Sequence, residues 1–256
     1  MIHPTAIIHP NARIGANCQI GPYCVIGENV ALGDDCQLHS HVVVDGHTTM
    51  GRGNEMFPFA AIGTKTQDLK YSGGLTRLQI GDHNVFREGV TVHSATNDGD
   101  STVLGSHNLF LTHVHVAHDC KLGNHIIMSG FAGLAGHVVV EDNVVLAGYV
   151  AVHQFCRIGK LVMVGGCSKI RQDVPPYMLA DGQPAIVHTI NKVGIERYGI
   201  SEETQNALKH AYKILFREAI PTMTAALAKV ESELPPFPEI KHLVQFIRAS
   251  ERGISK

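Results

Sequence analysis

The sequence predicts a β solenoid followed by a short helical region. Three observations predict it: a large apolar residue at every sixth position, a small residue four places after most of these, and a change of pattern after Ile170. The beat reads Ile2, Ile8, Ile14, Ile20, Ile26, Leu32, Leu38, Val44, Met50, Met56 and Ile62. It resumes at Ile80, Phe86 and Val92, then runs unbroken from Leu104 to Ile170. A period of six fits neither a helix of 3.6 residues per turn nor plain two-residue alternation. It fits a solenoid in which each hexad is one short flat strand and a corner.

The second slot holds Ala6, Ala12, Cys18, Cys24, Val30, Cys36, Val42 and Thr48, and later Cys120, Val144, Val150, Cys156 and Ser168. Positions i and i+4 are an even number apart, so both can face inward. One large and one small inward residue per hexad suits a narrow, closely packed prism. Three hexads close one turn of 18 residues, and turns stack at the interstrand distance of about 4.8 Å.

Two polar, Gly-rich stretches interrupt the beat without shifting its phase, at about 63–78 and 93–103. They read as loops thrown out from corners. Long loops on a rigid scaffold often carry function. The Pro-rich segment RQDVPPYMLADGQPA ends the solenoid, giving a division into 1–186 and a helical subdomain, 187–256. Ser201 followed by Glu202 and Glu203 marks a helix start. Further helices are expected over about 222–233 and 238–251. The tail can cover an open end of the solenoid.

A formal net charge of −2 gives no global sign of nucleic-acid binding. No signal peptide is evident in MIHPTAIIHP, and no apolar run is long enough for a membrane span. A soluble cytoplasmic protein is expected. Five of the six cysteines, Cys18, Cys24, Cys36, Cys120 and Cys156, occupy the small inward slot, so they read as core residues rather than disulfides or metal ligands.

Of 17 histidines, the densest set is His113, His115, His118, His137 and His153. Adding 18 moves one turn along the prism. His118 then stacks beneath Gly136 and Gln154, and Asp119 beneath His137 and Phe155. A His beside an Asp suits a general base, and a bare Gly amide suits a developing oxyanion. The same spacing also fits a ladder of polar side chains that merely satisfies a corner. Zinc is a rival chemistry, since His113 and His118 have the spacing of a ligand pair in γ-class carbonic anhydrases. The position expected for the third ligand holds Arg77.

At these residues the chain resembles the hexapeptide-repeat UDP-N-acetylglucosamine O-acyltransferases of lipid A synthesis. The motifs are SHVVVDGHT (40–48), QDLKY (67–71), VAHDC (116–120), LAGHV (134–138), AVHQF (151–155), MVGGCS (163–168) and QDVPPY (172–177). The resemblance implies a left-handed parallel β-helix, a homotrimer with active sites between subunits, and no cofactor. The implied reaction moves an (R)-3-hydroxyacyl group from acyl carrier protein to the glucosamine 3-OH of UDP-N-acetylglucosamine.

It implies His118 as base, Asp119 as its support and Gly136 as oxyanion donor. His115, His137, His153 and Gln154 would line the grooves. Asp68 and Lys70 would reach an adjacent subunit's substrate, Asn191 and Arg197 would meet the nucleotide, and Gly166 would set acyl-chain length. Two positions depart from the family: Val193 stands where an acid is frequent and Tyr198 where a second basic residue is. Lys209, Lys213 and Arg217 form a basic stripe that could steer an acidic carrier or simply face solvent. Related alternatives are an N-acyltransferase of the same pathway, an acetyl-CoA-dependent acetyltransferase and a non-catalytic scaffold.

Overall fold

A computed structural model describes all 256 residues. Residues 7–170 wind into a left-handed parallel β-helix of 25 short strands, most only two residues long. Face 1 has nine strands, from Ile7–Ile8 to Lys169–Ile170, and face 2 has eight, from Arg13–Ile14 to Arg157–Ile158. Face 3 begins at Gln19–Ile20 and reaches ten strands by adding Met178–Gly182 and the antiparallel Ala185–Ile190.

The hexad explains this shape residue by residue. The beat residues point inward, and Leu38, Met56, Phe86, Phe110, Leu134 and Leu146 are fully buried. Burying each such side chain contributes about 1.5–3 kcal/mol. The small slot is equally enclosed, with Cys24, Val42, Thr48, Cys120 and Cys156 at 0% exposure. At three turns the slot holds Asn54, Asn84 and Asn108 instead. Asn54 Oδ1 accepts from the Asn84 N–H, and Asn84 Oδ1 from the Asn108 N–H, each at 2.9 Å. Each amide nitrogen also donates to a corner carbonyl, so the buried column leaves no amide nitrogen unpaired.

Corners turn through left-handed residues. His113, Asp119, His137 and Phe155 take φ between +56 and +64°. Such φ values are uncommon outside glycine, and stacking with the turns above and below offsets their cost. His113, Phe131 and Tyr149 stack with centroids 5.1 and 5.0 Å apart on the corner between faces 3 and 1.

The two loops occupy 65–76 and 94–100, tighter than the sequence suggests, because strands Ala61–Thr64, Arg77–Ile80, Thr91–His93 and Ser101–Leu104 extend into their flanks. Register explains the kept phase. Val43 pairs with Ala61, an ordinary step of 18, but Ala61 pairs with Thr91, a step of 30, and Thr91 with His115, a step of 24. The insertions add two hexads and one hexad. Both leave from the corner between faces 1 and 2.

The division at 187 needs correction. Residues 185–190 form a strand that completes face 3, so helix begins only at α1, Lys192–Tyr198. Then come α2 (Glu202–Phe216), α3 (Met223–Glu233) and α4 (Pro238–Arg248). Ser201 caps α2 as expected, its side chain accepting from the Thr204 N–H. The tail packs on the last turns: Arg157 lies over the Phe246 ring and Ile254 bridges Asp173. No helix is long and apolar enough to cross a membrane.

Candidate active site

The corner between faces 1 and 2 gathers the reactive side chains. Neighbouring residues on an extended strand point apart, yet His118 Nδ1 lies 2.7 Å from Asp119 Oδ2. The positive φ of Asp119, +60°, turns its carboxylate back beneath the imidazole. This carboxylate is nearly buried and accepts the Thr96 N–H at 3.2 Å, while the Asp119 N–H donates to Thr102 Oγ1. Thr96 comes from the second loop, so that loop locks the acid in place. With Nδ1 directed at a carboxylate, Nε2 is the nitrogen left to take a proton.

One turn up, Gly136 makes room for that ring. A Cβ there would lie 2.4 Å from His118 Cε1 and 2.6 Å from Nε2. The His137 N–H donates to the His118 carbonyl, which fixes the two turns in register. The Gly136 N–H has no acceptor among the hydrogen bonds of the chain. On the corner between faces 2 and 3 the corresponding amides of Ala16, Arg52, Ser106 and Asn124 donate to an Asp or Asn side chain one turn up; the Gly136 amide has no such partner.

The other groups assemble around this pair. His137 Nε2 stands 3.6 Å from Asp119 Oδ2, and its ring stacks on Phe155 at 4.7 Å. His118, Asp119 and His137 each offer one atom within 4.8 Å of the other two, which is the set of this chain able to hold a metal ion. His113 is not part of it: it lies on the corner between faces 3 and 1. His115 projects from face 1 and bonds Thr91 Oγ1 at 2.8 Å. Burial first, then His93 and His118 nearby, hold its pKa below the ordinary imidazole value, so it stays neutral. His153 and Gln154 are exposed two turns above His118.

Asp68 stands beside the pair. It reaches its own chain's His118, with Oδ2 3.8 Å from Nε2, because its loop leaves the same corner. Lys70 is exposed beyond it. Asn191 and Arg197 are not brought to this corner. Asn191 is the N-cap of α1, accepting the Gly194 N–H and donating to the Leu161 carbonyl on the corner between faces 2 and 3. Its first role is to set where α1 starts. Tyr198 receives a cation from elsewhere: Lys160 Nζ donates to its hydroxyl at 3.0 Å. Arg217 leaves the basic stripe, since it donates to Tyr212 Oη and the His188 carbonyl.

Gly166 sits on the third corner, between faces 3 and 1. Its φ is not left-handed, and a Cβ would meet only the Gly148 carbonyl oxygen, at 3.4 Å. Corner geometry therefore does not require glycine there.

A curated acyl-[acyl-carrier-protein]–UDP-N-acetylglucosamine O-acyltransferase from Thermodesulfovibrio yellowstonii is 50% identical over 221 residues, covering 86% of this chain and 85% of the relative. The chain belongs to the UDP-N-acetylglucosamine O-acyltransferase family. The family description "Udp N-acetylglucosamine O-acyltransferase; Domain 2" matches residues 173–255, and "Bacterial transferase hexapeptide (six repeats)" matches 1–34 and 11–46. The crystal structure of LpxA, a UDP-N-acetylglucosamine acyltransferase from Bacteroides fragilis, superposes with a TM-score of 0.97 at 40% identity, covering 100% of both chains. LpxA from Acinetobacter baumannii gives 0.96 at 44% identity, covering 100% of this chain and 99% of that one.

Within this acyltransferase fold, two groups escaped the sequence reading. His93 is nearly buried, its Nδ1 2.8 Å from the Lys65 carbonyl and its ring edge-on to His115. Thr96 supplies the amide that holds Asp119. Both lie where a step of 18 residues fails. A step of 24, which the one-hexad insertion imposes, sets Thr91 beneath His115 and so brings His93 to the site.

Proposed function

We propose that this chain transfers an (R)-3-hydroxyacyl group from acyl carrier protein to the glucosamine 3-OH of UDP-N-acetylglucosamine, the first step of lipid A synthesis. The observation that carries the mechanism is the His118 Nδ1–Asp119 Oδ2 contact of 2.7 Å, with Nε2 lying over Gly136. His118 Nε2 takes the proton of the 3-hydroxyl as its oxygen attacks the thioester carbonyl. Asp119 orients the ring and stabilises the imidazolium. The free Gly136 N–H receives the oxyanion of the tetrahedral intermediate. Collapse expels the carrier's thiolate, and His118 returns the proton to it.

His115, neutral and fixed by Thr91, and His137, stacked on Phe155, line the sugar and acyl grooves, with His153 and Gln154 above. Asp68 sits close enough to Nε2 for a substrate hydroxyl to bridge the two. Lys70 offers a point charge to phosphate. Gly166, Asn191 and Arg197 belong to corners that cannot close on His118 within one chain. A homotrimer, with neighbouring prisms side by side, joins these corners into sites between subunits. The acyl carrier protein is a co-substrate, and a cytoplasmic enzyme fits the tail-capped solenoid.

Incubating the purified chain with UDP-N-acetylglucosamine and a panel of 3-hydroxyacyl carrier proteins, with products read by mass, tests this. An O-acylated sugar nucleotide is expected; acetylation from acetyl-CoA in its place would overturn the assignment.

A further inference from the structure

Two turns above His118, about 10 Å along the axis, a cleft of about 440 Å³ opens between the end of the solenoid and the C-terminal tail. His153, Arg171, Gln172, Pro184 and Arg252 line it, with no carboxylate among them. We propose that this cleft is a phosphate-ester site for one of the two substrates. The proposal rests on the acyl-transfer reading above.

The two cations stand outside any ion pair. No ion pair of the chain includes Arg171 or Arg252. The Arg171 side chain makes no hydrogen bond at all, while Arg252 spends Nη2 on weak contacts, 3.3 Å each, to His153 Nδ1 and the Arg171 carbonyl. Arg252 Nε is buried with no acceptor. Two guanidiniums sharing a cleft repel, and the enclosed Arg252 Nε, left without an acceptor, costs stability. Planar N–H forks match phosphate oxygens, which turns that cost into affinity.

The site is built rather than accidental. Arg252 reaches it only because the tail is fastened: the Asp173 N–H donates to the Gly253 carbonyl, the Ser255 N–H to the Asp173 carbonyl, and Ser250 Oγ to Asp173 Oδ2 at 2.7 Å. Gln172 Nε2 donates to the Arg252 carbonyl. Asp173, the nearby acid, makes no ion pair with either arginine; its oxygens accept from Ser250 Oγ and the Arg157 N–H. A phosphate held here belongs to a molecule that also reaches His118, along the same corner. Two such phosphates exist: the diphosphate of the sugar nucleotide and the phosphate of the carrier's phosphopantetheine arm.

Equilibrium binding to the full-length wild type and to Arg171→Gln distinguishes them. The probes are UDP against uridine, and 4′-phosphopantetheine against pantetheine. Arg171→Gln is expected to weaken one phosphate-bearing probe about tenfold or more, the loss of a charge-assisted hydrogen bond, and to spare its phosphate-free counterpart. The affected pair names the source. Arg252→Gln should weaken the same probe. Because Arg252 also ties the tail, its thermal unfolding is measured alongside, and Arg171→Gln carries the test if it unfolds. Unchanged binding of both phosphate-bearing probes by Arg171→Gln would overturn the proposal. Wild type that binds the probes but transfers no acyl group would instead sink the acyl-transfer reading alone.

Discussion

The His118 imidazole lies against the α-carbon of Gly136, one turn above it, while Asp119 grips its Nδ1 from below at 2.7 Å. The ring is therefore held from two directions, and each hold can be tested separately.

Replacing the ring itself is the plainest test. His118→Ala should lower turnover roughly 10²–10⁴-fold and leave thermal unfolding near wild type, since the side chain lies outside the prism core. Turnover close to wild type would remove His118 as the base.

Gly136→Ala probes the upper hold. The added methyl would sit 2.4 Å from His118 Cε1, so the ring must move. A displacement of about 1 Å from reacting geometry costs roughly a hundredfold. The loss should appear in kcat with KM little changed, because the substrate grooves are untouched. An unaltered kcat would mean that the ring does not work from this position.

Gly166→Met should shift donor preference toward shorter acyl chains while the fold stays intact. An ordinary φ and an open Cβ direction make the substitution free of backbone strain. Competition between carrier proteins loaded with different chain lengths reads the shift, and an unchanged profile would remove the length-setting role.

Thiol chemistry separates core from surface. Cys18, Cys24, Cys36, Cys120 and Cys156 are buried and Cys167 is exposed. Burial pushes the Cys120 thiol up to about 12 and Cys156 to about 11. A thiol-reactive dye should label one cysteine per native chain and all six after unfolding. Rapid labelling of more than one would contradict the packed prism.

His115 gives a pH dependence of defined sign. Its pKa is lowered from 6.5 on folding, chiefly by burial. As pH falls through 6.5, the unfolded chain takes up a proton that the folded chain refuses, so stability is lost toward acid. Its contribution is fully present above 6.5. His115→Gln should flatten the decline in melting temperature just below pH 6.5; an identical decline would assign it to other groups.

The prism was legible because one hexad states its whole plan. The beat gives the inward residues, the spacing gives the turn, and Asp119, His137 and Phe155 followed from adding 18. The loops were not legible in that way. His93 and Thr96 sit behind insertions that change the step to 30 and then 24, so arithmetic based on 18 misplaces them. The final strand, Ala185–Ile190, was hidden because antiparallel pairing needs no hexad. Arg252 meets His153 across 99 residues, a contact that no local pattern encodes. Asn191 carries a helix-capping duty that its motif match did not suggest.

Both excursions leave and re-enter at one corner, and the strands beyond each resume the ladder in phase. The column therefore acts as a chassis: a segment of altered length or composition can be exchanged at that edge while the rungs above it keep their inward side chains.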